Sequence, residues 1–146
     1  MRAFVSGLFL SFALLGCGSS TSTGEASTTT PPSFPLDALT TATTSDGSAT
    51  VEVRTSPVQP PTRGVLDVEL FVRDRNGAPV PGLTLSVVPW MDAHGHGASV
   101  VPTVTDEGNG KYWLSDVDLF MPGQWDLRVS MSGPLTDKVD PQVEVQ

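Results

Sequence analysis

The chain has 146 residues, with one cysteine and a formal net charge of −8 that arises from 16 acidic and 8 basic residues. This charge excludes nucleic acid and anionic lipid head groups as expected partners, because both are recognised by clustered Lys and Arg and the basic residues here are scattered. A single cysteine also excludes a disulfide within the chain, so any folded domain must be held by its own apolar core.

The first 16 residues have the composition of an export signal. Arg2 provides a minimal positive start, residues 3–15 are mostly apolar, and Gly16 is the small residue expected before a cleavage point. The apolar stretch is too short for a membrane-spanning helix, which needs about 20 apolar residues. We therefore predict that residues 1–16 are a signal peptide and not a transmembrane anchor.

The run Leu14-Leu15-Gly16-Cys17 resembles the lipobox of bacterial lipoproteins. The resemblance implies that the signal peptide is removed before Cys17 and that this thiol carries lipid, since two or more acyl chains give stable membrane anchoring. The protein is then a lipoprotein of the cell envelope that faces the periplasm or the exterior. The residue after the cysteine is Gly18 and not Asp, and the resemblance to enteric lipoproteins then implies sorting to the outer membrane in cells that have one. The alternative is an ordinary secretory signal with a chance cysteine, or a free thiol that pairs between molecules.

Residues 18–49 are rich in hydroxyl side chains, because 16 of these 32 residues are Ser or Thr. Such a segment cannot bury enough apolar surface to offset the entropy of ordering it. We therefore predict that residues 17–49 are a lipidated cysteine followed by a disordered linker, long enough to hold a domain away from a membrane. The apolar patch Phe34–Leu39 is either a sticky spot or short turn in this linker, or a motif that binds a partner.

Residues 50–146 have the size of one domain and a hydrophobic period of two. Alternation of apolar and polar residues places one face of each strand on a core. Turn-forming residues separate the strands, and no helical pattern runs between them. These features predict an all-β, immunoglobulin-like antiparallel β-sandwich of about seven strands, with Trp113 and Trp125 as core anchors. The expected strands are Val51–Thr55, Leu66–Val72, Leu83–Val88, Ser99–Thr105, Lys111–Leu114, Trp125–Met131 and Val139–Val145.

Both histidines of the chain, His94 and His96, lie in a loop after the third expected strand. If this loop is extended, their side chains project to the same side. Imidazole nitrogen and thioether sulfur together favour copper, Cu(I) in particular, over hard cations that prefer oxygen. Asp92 is a candidate for orienting a histidine. The alternative is a solvated turn with methionines that only fill the core. The predicted copper ligands are Met91, His94, His96 and Met121.

The same loop resembles the W-M-P-x-M-G-H-G stretch of YtkA-like (FixH-related) extracytoplasmic domains, which continue with a G-x-Y strand and an F-x-M-x-G-x-W-x-L-x-V hairpin. The resemblance covers residues 65–145. The sequence departs from the family pattern at two positions: Asp92 stands where the family has proline, and His94 stands where the family often has methionine. The second exchange still suits copper but disfavours a site made of thioethers alone. Relatives are linked to oxidase assembly and copper handling, which implies copper as cofactor and an envelope or respiratory-complex partner. The matching residues are Trp90, Met91, Gly95, His96, Gly97, Gly110, Lys111, Tyr112, Phe120, Met121, Gly123, Trp125, Leu127 and Val129.

The sequence has no complete catalytic constellation. A G-x-S-x-G elbow, a phosphate-binding glycine loop and an H-E-x-x-H motif are all absent. The carboxylate pairs Asp106-Glu107 and Asp116/Asp118 fall in or beside expected hairpin turns, where acidic side chains are usually solvated. We therefore expect a non-enzymatic monomer. The competing function is an interaction or structural module that docks another envelope protein through a sandwich edge or the Trp90 loop.

Overall fold

The computed structural model describes residues 30–146, and these residues fold into ten β-strands. Within this part of the chain, no helix has the length and apolarity needed to cross a membrane. The predicted signal peptide, Cys17 and the first part of the predicted linker lie outside the described residues. The strands are β1 Thr40–Thr43, β2 Ala49–Ser56, β3 Gly64–Asp74, β4 Thr84–Met91, β5 His96–Gly97, β6 Thr103–Gly108, β7 Lys111–Leu119, β8 Gly123–Ser132, β9 Asp137–Val139 and β10 Gln142–Val145.

The strands form two antiparallel sheets that pack as a β-sandwich, which confirms the predicted fold class. Sheet A has the order β1-β2-β3-β7-β6, and sheet B has the order β10-β8-β4-β5, with β9 also paired to β8. The Ser45 amide in the β1–β2 turn donates to the Lys138 carbonyl in β9 at 2.8 Å, so the β1 side of sheet A lies beside the β9 side of sheet B. The opposite sides of the two sheets carry β6 and β5, which the short connection 98–102 joins.

The core lies between the sheets and is built from the alternating apolar residues that the period of two predicts. Trp125 is fully buried there, as expected. Trp113 is also buried, but it belongs to the outer face of sheet A, where its indole N–H donates to Asp67 at 2.8 Å. Tyr112 occupies the core in its place. The prediction of Trp113 as a core anchor was wrong because its neighbour Tyr112 faces inward, and adjacent strand residues face opposite sides.

The folded domain begins before residue 50. Thr40–Thr43, inside the predicted linker 17–49, form β1 and pair antiparallel with β2, with Ala42 opposite Val51. The linker prediction was wrong here because it was based on composition, whereas β-branched threonines pack well at the edge of a sheet that other strands provide. The apolar patch Phe34–Leu39 also contacts the domain, since Leu39 packs against the core.

Two other expected strands differ from the structure because of local backbone breaks. The expected strand Ser99–Thr105 is a bend followed by β6, which begins only at Thr103. The expected strand Val139–Val145 is interrupted at Pro141, which has no amide hydrogen to donate to a sheet. The Pro141 carbonyl still accepts from the Leu127 amide at 2.9 Å, so both halves, β9 and β10, remain on β8.

The side of the sandwich formed by β1 and β9 is fastened by Asp137. Its carboxylate accepts hydrogen bonds from the Ser48 hydroxyl, from the Asp46 amide at 3.2 Å and from the Lys138 amide at 2.8 Å. These hydrogen bonds, with that of Ser48 contributing most, hold the pKa of Asp137 well below its usual range. The ionised form of Asp137 therefore joins the β1–β2 turn to sheet B.

Candidate metal site at the β4–β5 hairpin

Both histidines lie on a tight hairpin at the edge of sheet B. Strand β4 ends at Met91, four residues turn, and β5 returns with His96 directly opposite Met91. The Met91 carbonyl accepts from the His94 amide at 3.1 Å and from the Gly95 amide at 2.9 Å, which closes the turn. Gly95 has a φ of 69°, a conformation that costs a side chain steric strain. The sequence D-A-H-G-H therefore forms a defined turn and not an open loop.

Gly97 allows the two strands of this hairpin to approach closely. A Cβ atom at this position would lie 2.7 Å from the Pro89 carbonyl oxygen and 3.0 Å from a ring carbon of Trp90. Since both distances are shorter than ordinary contacts, only glycine fits between these groups without a shift of β5. The two glycines beside His96 thus have separate roles, one in the turn and one in the strand pairing.

The hairpin brings the two imidazoles together. The ring centroids of His94 and His96 are 5.7 Å apart, with the planes inclined by 41°. A metal–nitrogen bond of about 2 Å puts each centroid about 3 Å from an ion, so two imidazoles on one ion have centroids at most about 6 Å apart. The observed separation meets this limit. His94 is exposed and His96 is half-buried, so the pair is open to solvent on one side.

An aromatic stack holds His96 in place. Phe120, at the start of the β7–β8 loop, stacks on His96 with a centroid distance of 5.7 Å and an interplanar angle of 15°. The rings of Phe120 and Trp125 meet edge to face, with centroids 5.4 Å apart and an interplanar angle of 74°. The Trp125 indole N–H also donates to the Met121 carbonyl at 2.9 Å, which fixes the loop. Sequence reasoning did not assign Phe120 to the site, although its position directly before Met121 was a signal for it.

The two predicted methionine ligands have different surroundings. Met91 is only 1% exposed and belongs to the core, and its methyl group lies 3.5 Å from the position a Cβ on Gly123 would take. As the direct cross-strand partner of His96, it shares a sheet face with that residue. Met121 is half-buried against the core, next to the Phe120 that stacks on His96. The hairpin and the β7–β8 loop therefore bring all four predicted ligands to one end of the sandwich.

Asp92 contacts a cation and not a histidine. Its carboxylate accepts from the Arg128 guanidinium at 2.8 Å, and that guanidinium also lies 4.5 Å from the centre of the Trp90 ring. Burial raises the pKa of the neighbouring Asp126 above its usual value, a hydrogen bond from Gln142 opposes this shift, and Asp92 adds to it. The hypothesis that Asp92 orients a histidine is therefore replaced by a structural role on the outer face of sheet B.

Among residues 30–146, no group of three or more His, Cys, Asp and Glu side chains is placed to hold a metal ion. A metal at this hairpin would therefore need a ligand of another type beside the two imidazoles. On this end of the domain, the available groups of that kind are the thioethers of Met91 and Met121. Such a mixed nitrogen and sulfur set suits copper and is unsuitable for Ca²⁺ or Mg²⁺.

The family model described as YtkA-like matches residues 45–130, which is more than half of the chain. The chain belongs to the YtkA-like family. The matched region runs from the β1–β2 turn into β8 and includes the whole hairpin with its aromatic stack. Neither a curated protein nor a solved structure matches the chain significantly.

Proposed function

We propose that this YtkA-like domain binds copper, as Cu(I), at the β4–β5 hairpin and passes it to another protein of the cell envelope, without being an enzyme. The observation that carries the proposal is the 5.7 Å separation of the His94 and His96 ring centroids, which allows both imidazoles to bind one ion. Met91 and Met121 are the proposed thioether ligands. Copper accepts this combination of borderline nitrogen and soft sulfur donors.

Exposure of the site supports a role in copper transfer. His94 is exposed at the tip of the hairpin, whereas Met91 is buried behind it. An acceptor protein can therefore approach the histidine side while the methionine side stays packed.

A lipid anchor at Cys17 is the second part of the proposal. Its support is the lipobox-like run 14–17 after an apolar leader, and a membrane-held copper donor would suit an acceptor in the same envelope. The experiment is incorporation of labelled palmitate by the full chain in a bacterial host. We expect labelling that is lost in Cys17→Ser. Labelling that persists in this variant would refute the anchor.

The copper proposal is tested by titrating the protein with Cu(I) in competition with a chelator. We expect one copper per chain and a loss of affinity of more than about tenfold in His94→Ala and in His96→Ala. Met91→Leu tests the sulfur ligand, and Met131→Leu is its matched control, because both side chains are core methionines with exposures of 1% and 3%. We expect Met91→Leu to weaken Cu(I) binding and Met131→Leu to leave it unchanged.

Equal and weak competition by the wild type and the histidine variants would remove the copper proposal. In that case a module that docks another envelope protein through the same end of the domain becomes the leading function. Equal effects of Met91→Leu and Met131→Leu would keep the histidines as ligands but exclude the thioether of Met91.

A further inference from the structure

A proline-containing segment of the chain lies across the outer face of sheet A. We call residues 32–36 the strap. With Arg54, Glu69, Phe71 and Lys111, the strap residues line a shallow groove in which Phe34 is half-buried. Leu36, in contrast, is 94% exposed, so it adds almost nothing to apolar burial. Phe34 is therefore the large apolar side chain through which the strap gains hydrophobic contact with the sheet, beside the smaller, half-buried Pro32.

Side chains of sheet A hold the backbone of the strap. The Nε and Nη2 atoms of Arg54 each donate to the Leu36 carbonyl at 3.2 Å. The Ser56 hydroxyl donates to the Ser33 carbonyl at 3.1 Å. Arg54 is itself fixed between Glu52, at 2.6 Å, and Glu69, at 3.4 Å. An arginine that is largely buried and already paired with two carboxylates is a rigid donor, so the strap has a defined seat.

The strap carries the chain from one side of sheet A to the other. After the strap, the chain enters β1, which is one edge of sheet A. At the N-terminal end of the strap, Thr30 and Pro32 line a groove on this face together with Thr103 and Thr105 of β6, which is the opposite edge. Because the short connection 98–102 joins β6 to β5, Thr30 lies toward the side of the domain that carries the histidine hairpin.

We propose that the strap orients the domain on the membrane: it makes the linker leave beside β5 and β6, so that the His94/His96 hairpin faces the membrane and a membrane-embedded partner. This inference rests on the lipid anchor in the proposed function. Between Cys17 and Thr30 there are 30 − 17 = 13 residue steps, which span at most about 45 Å. Without the strap, the chain would first be held by the domain at Leu39, near β1 at the opposite edge of sheet A. The tether would then have 39 − 17 = 22 residue steps, which span at most about 75 Å.

The seat of the strap is tested in a cysteine-free background. Since Cys17 is the only cysteine, a Cys17→Ser chain that also carries Thr30→Cys takes a single nitroxide label. We expect this label to broaden the amide NMR signals of Thr103 and Thr105 strongly and that of Gly47, in the β1–β2 turn, weakly. Equal broadening of the two regions would refute the proposal that the strap holds Thr30 near β6.

Two matched variants in the strap show whether its seat causes the effect. Phe34→Ser removes the half-buried ring and should abolish the selective broadening of the β6 signals. Leu36→Ser removes an apolar side chain of the same segment that is 94% exposed, and it should leave the broadening unchanged. A Phe34→Ser chain with undiminished broadening would show that the groove does not hold the strap.

The orientation is tested with the lipidated chain in vesicles that contain an acceptor dye on the lipid head group. After acylation of Cys17, a donor dye reacts only with an introduced cysteine, either Ala93→Cys in the hairpin turn or Thr43→Cys in β1; both positions are exposed. We expect more energy transfer from position 93 than from position 43. Phe34→Ser should remove the difference, and Leu36→Ser should keep it.

Equal transfer from both positions with the strap intact would refute the membrane-facing orientation. A chain that does not bind vesicles would refute the lipid anchor and, with it, the orientation. The nitroxide experiment would still show whether the strap is held on sheet A. Loss of copper binding changes none of these readouts, so a failure of the copper proposal and a failure of this one are distinguishable.

Discussion

Replacement of Gly97 by alanine tests whether the hairpin is a rigid platform for the two imidazoles. The added methyl carbon would lie 2.7 Å from the Pro89 carbonyl oxygen, whereas a carbon and an oxygen in close contact are normally about 3.3 Å or more apart. Strand β5 must therefore move by roughly 0.6 Å or separate from β4. Overpacking of this kind costs about 1–3 kcal/mol, and we expect the lower end because β5 is a short edge strand.

The separation of β5 has a functional consequence that is larger than its effect on stability. β5 pairs with β4 through only two residue pairs, Trp90 with Gly97 and Met91 with His96. If these pairs open, His96 no longer faces His94 at the distance needed for one ion. We expect Gly97→Ala to lower the free energy of unfolding by about 1 kcal/mol and to weaken Cu(I) binding by about tenfold or more.

Urea denaturation and competitive Cu(I) titration measure the two effects of Gly97→Ala. Gly95→Ala is the comparison, because Gly95 has a φ of 69° but no atom within 4 Å of an added Cβ, so it tests backbone strain without a collision. An unchanged free energy of unfolding together with an unchanged His96 amide signal in Gly97→Ala would refute the close-packing argument.

Two other predictions concern the fold that supports the site. The Tyr112 hydroxyl donates to the Val80 carbonyl at 2.7 Å and accepts from the Leu83 amide at 3.0 Å, so Tyr112→Phe should destabilise the domain by about 1–3 kcal/mol in urea denaturation, and an unchanged midpoint would contradict this. Asp137 has a lowered pKa when folded, so its contribution to stability is present above the ordinary aspartate pKa and is lost as the pH falls below it. Thermal unfolding of Asp137→Asn should therefore show a lower melting temperature at pH 7 and a weaker loss of stability in acid than the wild type, whereas Asp140→Asn, at an exposed neighbouring residue, should behave like the wild type.

Much of the domain could be predicted from local patterns. The alternation in β3 and β8 identified both strands, because strand faces repeat every two residues and the core accepts only one of them. Local patterns also placed His94 and His96 together, since two residues separated by one position lie near each other in most backbone conformations. Composition failed for Thr40–Thr43, because the pairing partner that makes this segment a strand lies elsewhere in the chain.

The site shows the same division. The four candidate ligands could be chosen from the chemistry of their side chains, but the residues that surround them in the fold could not be predicted in this way. Phe120 stacks on His96 although 24 positions separate them, and Arg128 binds Asp92 across 36 positions. Such contacts depend on which strands are neighbours, and one sequence without its topology does not specify that order.

The sequence by itself determined the β class of the domain, the two histidines with a glycine on each side of His96, and the lipobox-like run that ends at Cys17, because each depends on neighbouring residues alone. Only the tertiary structure decided that Tyr112 and not Trp113 faces the core, that Met91 is buried opposite His96, and that the strap lies on the outer face of sheet A. The physical reason is that burial and hydrogen bonding join segments far apart in the chain, such as Ser33 with Ser56 and Tyr112 with Val80. These contacts stabilise the protein only once the two sheets have formed.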